Sequence, residues 1–153
     1  MANGGTSTTA GLEQLKAALE RAEATGTGIG TLLGIEVDTL EPGLVVLGLK
    51  PRPDFANPIG TVHGGILSTL LDSAMSCAVH TSLPEGAGYT TLELKVNFVR
   101  AVQVDGGRLT CEGRTVHVGR RVATCEGRIT DPAGKLVAHG TATCMVFPPA
   151  ADR

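Results

Sequence analysis

The chain has 153 residues, of which 42% are hydrophobic, 18% charged and 3% aromatic, with no Trp and a formal net charge of −2. That size and balance suit one soluble globular domain with a core of Val, Leu, Ile and Ala, not a disordered chain. The near-neutral charge gives no electrostatic reason to expect nucleic acid or an anionic membrane as partner.

No apolar run approaches the roughly 20 residues that a membrane span needs. Residues 1–9 (MANGGTSTT) lack the basic and apolar regions of a signal peptide, so a cytoplasmic location is expected. Cys77, Cys111, Cys125 and Cys144 lie far apart, in no metal-ligand or CxxC spacing. They read as small buried hydrophobes in a reducing compartment.

Taken in order, residues 1–10 are small and polar and read as a disordered tail. Leu12, Leu15, Leu19 and Ala22 then recur at helical spacing, which predicts an amphipathic helix over 11–25. The glycines of 26–30 neither complete a GxGxxG pattern nor sit between a strand and a helix, so no dinucleotide loop is assigned. Residues 35–40 and 43–49 read as a hairpin turning at Glu41, Pro42 and Gly43. Pro51, Pro53 and Pro58 make the next segment a loop, and a long helix is predicted over 64–82.

Four strands follow, over 89–99, 108–118, 121–130 and 136–147. The first alternates through Leu92, Leu94, Val96 and Phe98. Turns at 105–107 and 131–134 lead to the expectation that all four form one antiparallel meander. The domain is expected to span 11–148, with 149–153 as a tail. The fold class is α+β: an antiparallel sheet of about five to six strands around one long central helix.

On a 3.6-residue helix, Ile66, Leu67, Leu70, Leu71, Ala74 and Ala78 share one side, with Cys77 and Met75 at its edges. Ser68, Thr69, Asp72, Ser73 and Ser76 share the other. Small polar residues there suit close approach to another surface, most simply a second copy of the same helix. A helix beginning near Gly64 offers unpaired N–H groups at a positive dipole end, a ready oxyanion site. Asp72 lies eight residues beyond Gly64, roughly 12 Å along the axis. The two cannot act on one carbonyl within one chain. If they cooperate, Asp72 must come from a second copy.

These residues carry a resemblance. The run Val62, His63, Gly64, Gly65, with Asp72 nine residues after the His and a strand over 91–98, resembles the hotdog-fold acyl-CoA thioesterases. Within them it is most similar to the phenylacetate-degradation (PaaI-like) branch, over about residues 30–147. The resemblance implies a homodimer or a dimer of dimers, an acyl-CoA substrate, and neither metal nor bound cofactor, coenzyme A being part of substrate and product. It implies that Gly64 supplies the N–H polarising the thioester carbonyl, with Gly65 shaping the turn. His63 would hold the loop and face the thioester, and Asn57 would position the water or the carboxylate. Asp72 would be the general base, or the nucleophile forming a mixed anhydride, with Thr91 near the attacking water. Val118, Gly119, Arg120 and Arg121, with Arg100 on a second segment, would line the coenzyme A channel, where arginines suit phosphates.

Each residue also has a structural reading. Asp72 could be an ion-pair partner, His63 a loop or cap residue, Gly64 and Gly65 turn geometry, and Asn57 loop punctuation before Pro58. Arg120 and Arg121 could be solvated strand-end charges. His80, His117 and His139 have no metal spacing. No GxSxG elbow or P-loop is present. Hydrolysis of an acyl-CoA or aryl-CoA thioester leads; a non-catalytic acyl-CoA binding or sensing module on the same fold is the alternative. A hydratase would carry its Asp and His in another constellation.

Overall fold

The computed structural model describes residues 10–149; of the two expected tails, 1–9 and 150–153 lie outside the described residues. The elements are α1 (Ala10–Thr25), α2 (Ile29–Leu33), β1 (Ile35–Glu41), β2 (Leu44–Leu49), α3 (Gly64–Thr81), β3 (Gly88–Phe98), β4 (Leu109–Val118), β5 (Val122–Thr130) and β6 (Leu136–Phe147). A short 3₁₀ turn, Pro53–Phe55, precedes α3. Ala10 and Gly11 already belong to α1, which docks on the end of α3 through Gly11 N–H to the Leu83 carbonyl at 3.1 Å.

One antiparallel sheet of six strands packs around α3 in the order β1-β2-β4-β5-β6-β3. The apolar face of α3 is buried in it, with Leu70, Leu71, Ala74, Met75 and Ala78 fully enclosed. Periodicity put Ser76 with the exposed polar residues, but it is only 8% exposed. It lies under β3, beside the Tyr89 hydroxyl.

The expected four-stranded meander is wrong in one strand. Strands β4, β5 and β6 follow one another, but β3 pairs with β6 from Gly88↔Phe147 to Phe98↔Ala138, and β4 pairs with β2. The turn signal at 105–107 is real, since Gly106 N–H meets the Gln103 carbonyl at 3.0 Å, but it bends a loop and closes no hairpin. Residues 99–108 run across the ends of β6 and β5. A gap of three strand spacings, about 14 Å, is well within reach of ten residues.

The alternation expected in β3 also breaks. A bulge between Thr91 and Glu93 leaves Leu92 outside the ladder and 55% exposed. Tyr89 faces the core before the bulge, and Leu94 and Val96 face it after, so one extra residue has switched the phase.

The helix sits very close to the sheet because two paired glycines lie beneath it. Gly113 and Gly127 are register partners on β4 and β5. A Cβ on Gly113 would run into the backbone of Ala74, and one on Gly127 would come 2.8 Å from Met75 Cγ. Met75 can flex, but the backbone of a buried helix cannot. Gly113→Ala should therefore cost about 2 kcal/mol or more by overpacking, and Gly127→Ala less. Urea denaturation measures both, and equal stability of Gly113→Ala and wild type would remove this account of the packing.

Candidate active site

The start of α3 is assembled by the loop before it. The Asn57 side chain closes that loop on itself. Its Oδ1 accepts from the N–H groups of Ile59 and Thr61, each at 3.1 Å, and its Nδ2 donates to Thr61 Oγ1 at 2.9 Å. The His63 N–H donates to the Phe55 carbonyl at 2.7 Å, and the Val62 N–H to the Val102 carbonyl at 2.8 Å. The loop is thus gripped on one side by the 3₁₀ turn and on the other by the segment crossing the sheet end.

His63 is the N-cap of α3, with its Nδ1 accepting from Gly65 N–H at 2.8 Å. Its carbonyl takes the N–H groups of Ile66, at 2.9 Å, and Leu67, at 3.4 Å. Of the four N–H groups that a helix start leaves open, only that of Gly64 has no acceptor among the described residues. Because Nδ1 accepts, the imidazole is neutral in this arrangement and carries its proton on Nε2.

A cleft of about 310 Å³ opens beside that N–H, lined by Asn57, Val62, Gly64, Leu67, Phe98 and Arg100 among others. Phe98 is the residue that sequence reasoning did not single out. Its ring lies against Gly64, and it is 54% exposed. A half-exposed aromatic at the end of an alternating strand gave no local signal of this contact.

Asp72 lies two turns further along α3 and is half-buried. The Thr91 hydroxyl donates to its Oδ1 at 2.9 Å. The Leu92 bulge immediately follows Thr91, whose oxygen also lies 4.0 Å from Cys144 Sγ. Burial pushes the Cys77 thiol up to about 11, with the Asp72 charge adding to the shift, and burial raises Cys111 further. Neither is poised as a nucleophile.

The expected site residues therefore fall into two groups. Asn57, His63, Gly64, Gly65 and Arg100 gather at the Phe98 end of β3. Asp72 and Thr91 pair near its other end, and the turn of Val118, Gly119, Arg120 and Arg121 lies on that side of the sheet. Ala123, Cys144 and Thr91 are register partners in one line across β5, β6 and β3. The Arg121 carbonyl accepts from Val146 N–H at 2.9 Å, beside that line. Arg100, Arg120 and Arg121 are exposed. The groups are seven residues apart on β3, roughly 20 Å along the strand.

Among the described residues, no cluster of His, Cys, Asp and Glu could hold a metal ion. His80 packs tilted against Tyr89, ring centroids 5.2 Å apart, and burial lowers its pKa. No helix among the described residues is long and apolar enough to cross a membrane.

A family model described as the thioesterase superfamily matches residues 59–138, just over half of the chain and including α3 and β3. The chain belongs to the thioesterase superfamily. A 1,4-dihydroxy-2-naphthoyl-CoA hydrolase from Listeria monocytogenes is 28% identical over 119 residues, 78% of this chain and 95% of that one. The solved structure of a phenylacetic acid degradation-related protein from Ralstonia eutropha is 33% identical, with a TM-score of 0.74 over 84% of this chain and 97% of that one. The PaaI protein of the E. coli phenylacetic acid degradation operon shares the fold at a TM-score of 0.79, with 21% identity, over 94% of this chain and 98% of that one. With its six strands wrapped on α3, this is a hotdog-fold, PaaI-like thioester hydrolase.

The cap geometry makes His63 a stability determinant in its own right. His63→Ala should cost about 1 kcal/mol, and His63→Asn, whose side-chain oxygen can take the same N–H, should recover most of it. Urea denaturation of the three proteins checks this. Identical midpoints would mean that the cap contributes nothing.

Proposed function

We propose that this thioester hydrolase cleaves acyl-CoA esters at a site completed by a second copy of the chain. One observation carries the reading. The unpartnered Gly64 N–H and the Thr91-held Asp72 lie toward opposite ends of the same edge strand, β3. Along that strand Leu92 and Phe98, and just past its end Val99, are more than half exposed, a surface that a lone chain would be expected to blunt. Antiparallel pairing of β3 with its copy, Thr91 opposite Phe98, would set each Asp72 beside the Gly64 of the other copy. A homodimer is then the smallest active unit, and a dimer of dimers is compatible with it.

In such a site the thioester oxygen accepts from the Gly64 N–H at the positive end of α3. Thr91 occupies Oδ1 of Asp72, leaving Oδ2 to act. As general base, Oδ2 takes a proton from water while the water oxygen bonds to the carbonyl carbon. The C–S bond then breaks, and the proton leaves with the thiolate. As nucleophile, Oδ2 itself bonds to that carbon, the thiolate departs, and water hydrolyses the mixed anhydride. Thiolates leave readily, so a lone carboxylate suffices. The oxyanion donor contributes roughly 10²–10³-fold and the positioned base about 10²–10⁴-fold.

Asn57, with one Nδ2 proton unused by its loop, and His63, through Nε2–H, would orient the water and the thioester, while Gly65 keeps the cap closed. Arg100 of one copy and the turn of Val118, Gly119, Arg120 and Arg121 would receive the coenzyme A phosphates. The likeness to a naphthoyl-CoA hydrolase supports including aryl-CoA esters with aliphatic ones, and a screen of free-thiol release across aryl, short-chain and long-chain esters separates them.

Asp72→Asn should lower kcat by at least about a hundredfold while the fold stays intact; a binding module would release no thiol even as wild type. Gly64→Pro removes the N–H at a position where helices accept proline. Mixing Asp72→Asn chains with Gly64→Pro chains should restore one working site per hybrid pair. Absence of recovery after proven exchange would count against a shared site. Arg120→Ala and Arg121→Ala should raise KM for coenzyme A esters more than for pantetheine thioesters, and equal effects on both would exclude a phosphate role.

A further inference from the structure

Two ordinary reasons for a glycine do not apply at position 64. Its backbone is helical, and it is absent from the positive-φ glycines. An N–H donor is supplied by every residue except proline. What remains is the space a side chain would fill. An ideal Cβ there would lie 3.0 Å from Phe98 Cζ, 3.2 Å from Cε2 and 3.3 Å from Cε1. The far edge of the ring is seated where a side chain of residue 64 would stand, on the residue that carries the one open N–H of the helix start.

If Phe98 served only as an apolar residue of an edge strand, it would need no glycine beneath it. Its neighbour Val99 borders the same cleft and is exposed to the same degree, at 55% against 54%, yet takes no such seat. Phe98 also lines the cleft with Asn57, Leu67 and Arg100, so its ring is a wall of the space that the Gly64 N–H faces. A hydrogen-bond donor flanked by an apolar wall is shielded from water and keeps its strength for the ligand that enters.

We propose that Phe98 is a positioning residue of the hydrolase: its ring, seated on Gly64, walls one side of the cleft that this N–H faces and holds the thioester carbonyl in line with it. Glycine occupies position 64 to admit the ring. The inference rests on the proposed role of the Gly64 N–H.

A double-mutant cycle tests it, with free-thiol release from an acyl-CoA ester that the wild type cleaves. Gly64→Ala keeps the N–H but pushes the ring away, and Phe98→Ala removes the ring. Each should lower kcat roughly tenfold through a misplaced carbonyl and leave KM within about twofold, since the wall acts on the polarised state. Because both act through one ring, the double variant should be no slower than Phe98→Ala alone. Phe98→Leu, which keeps an apolar wall, should stay within about threefold of wild type.

Multiplying losses in the double variant, or wild-type kcat in either single one, would overturn the inference. So would a loss of kcat that disappears at high protein concentration, because Phe98 would then serve only association. Should Phe98→Ala fail to fold, the cycle runs with Phe98→Leu, and an undiminished penalty for Gly64→Ala in that background would overturn it equally. Failure of the underlying reading looks different: full activity of Asp72→Asn, or no thiol release by wild type from any ester.

Discussion

A buried helix has to begin somewhere, and four N–H groups are left without helical acceptors when it does. At α3 three of them are dealt with at His63. Its own N–H goes to the Phe55 carbonyl, and it takes Gly65 on its ring nitrogen and Ile66 on its carbonyl. An orphaned N–H that is fully buried costs about 1–3 kcal/mol, so the remaining donor, Gly64, is tolerable only where a cleft admits water or a ligand. Such a cleft is present beside it. The donor is fixed before any ligand arrives, because the loop that carries His63 is itself bonded to Phe55 and Val102. Catalytic hydrogen bonds gain most when their geometry requires no rearrangement.

That grip depends on the order of the strands. Had β3 paired with β4, residues 99–108 would form a hairpin loop with nothing opposite the 57–63 loop. Since β3 pairs with β6, the same residues cross the sheet end. There Val102 accepts from Val62, and Gln103 bridges Thr61. The crossing also carries Arg100 into the cleft. Sheet topology and site construction are one constraint, and the placement of β3 at an edge is its other consequence.

The parts of this arrangement that were legible in the sequence are those whose causes are local. The period of Leu67, Leu70, Leu71 and Ala74 gave the helix, and the small-residue run at its start gave the open donor. Hairpin residues gave β1 with β2, and β4 through β6. The position of β3 was not legible, because its alternating pattern fits any neighbour and its ten-residue exit could either turn back or cross. The bulge at Leu92 was hidden for a related reason: an extra residue in a strand of mixed Thr, Leu and Glu leaves no composition signal, yet it decides that Thr91 faces Asp72. Helix α2 is too short to show a period. The seat of Phe98 on Gly64 joins residues 34 apart, and only tertiary packing creates it.

The two adjacent glycines prove to answer to different rings. A Cβ on Gly65 would come 3.0 Å from His63 Nδ1 and press on the cap, whereas one on Gly64 would press on Phe98. The helix start is held between a polar ring that consumes one N–H and an apolar ring that borders the next. Asp72 stands roughly 12 Å away along its own helix, too far to reach that donor, and its own chain ties it to Thr91 instead. Within one chain the carboxylate therefore makes no contact with the donor that it would have to serve. On the proposed reading the two charges of opposite sense meet only across a pair of chains. That separation keeps an unoccupied helix start receptive to an oxyanion and makes association of two copies the step that turns two half-sites into working ones.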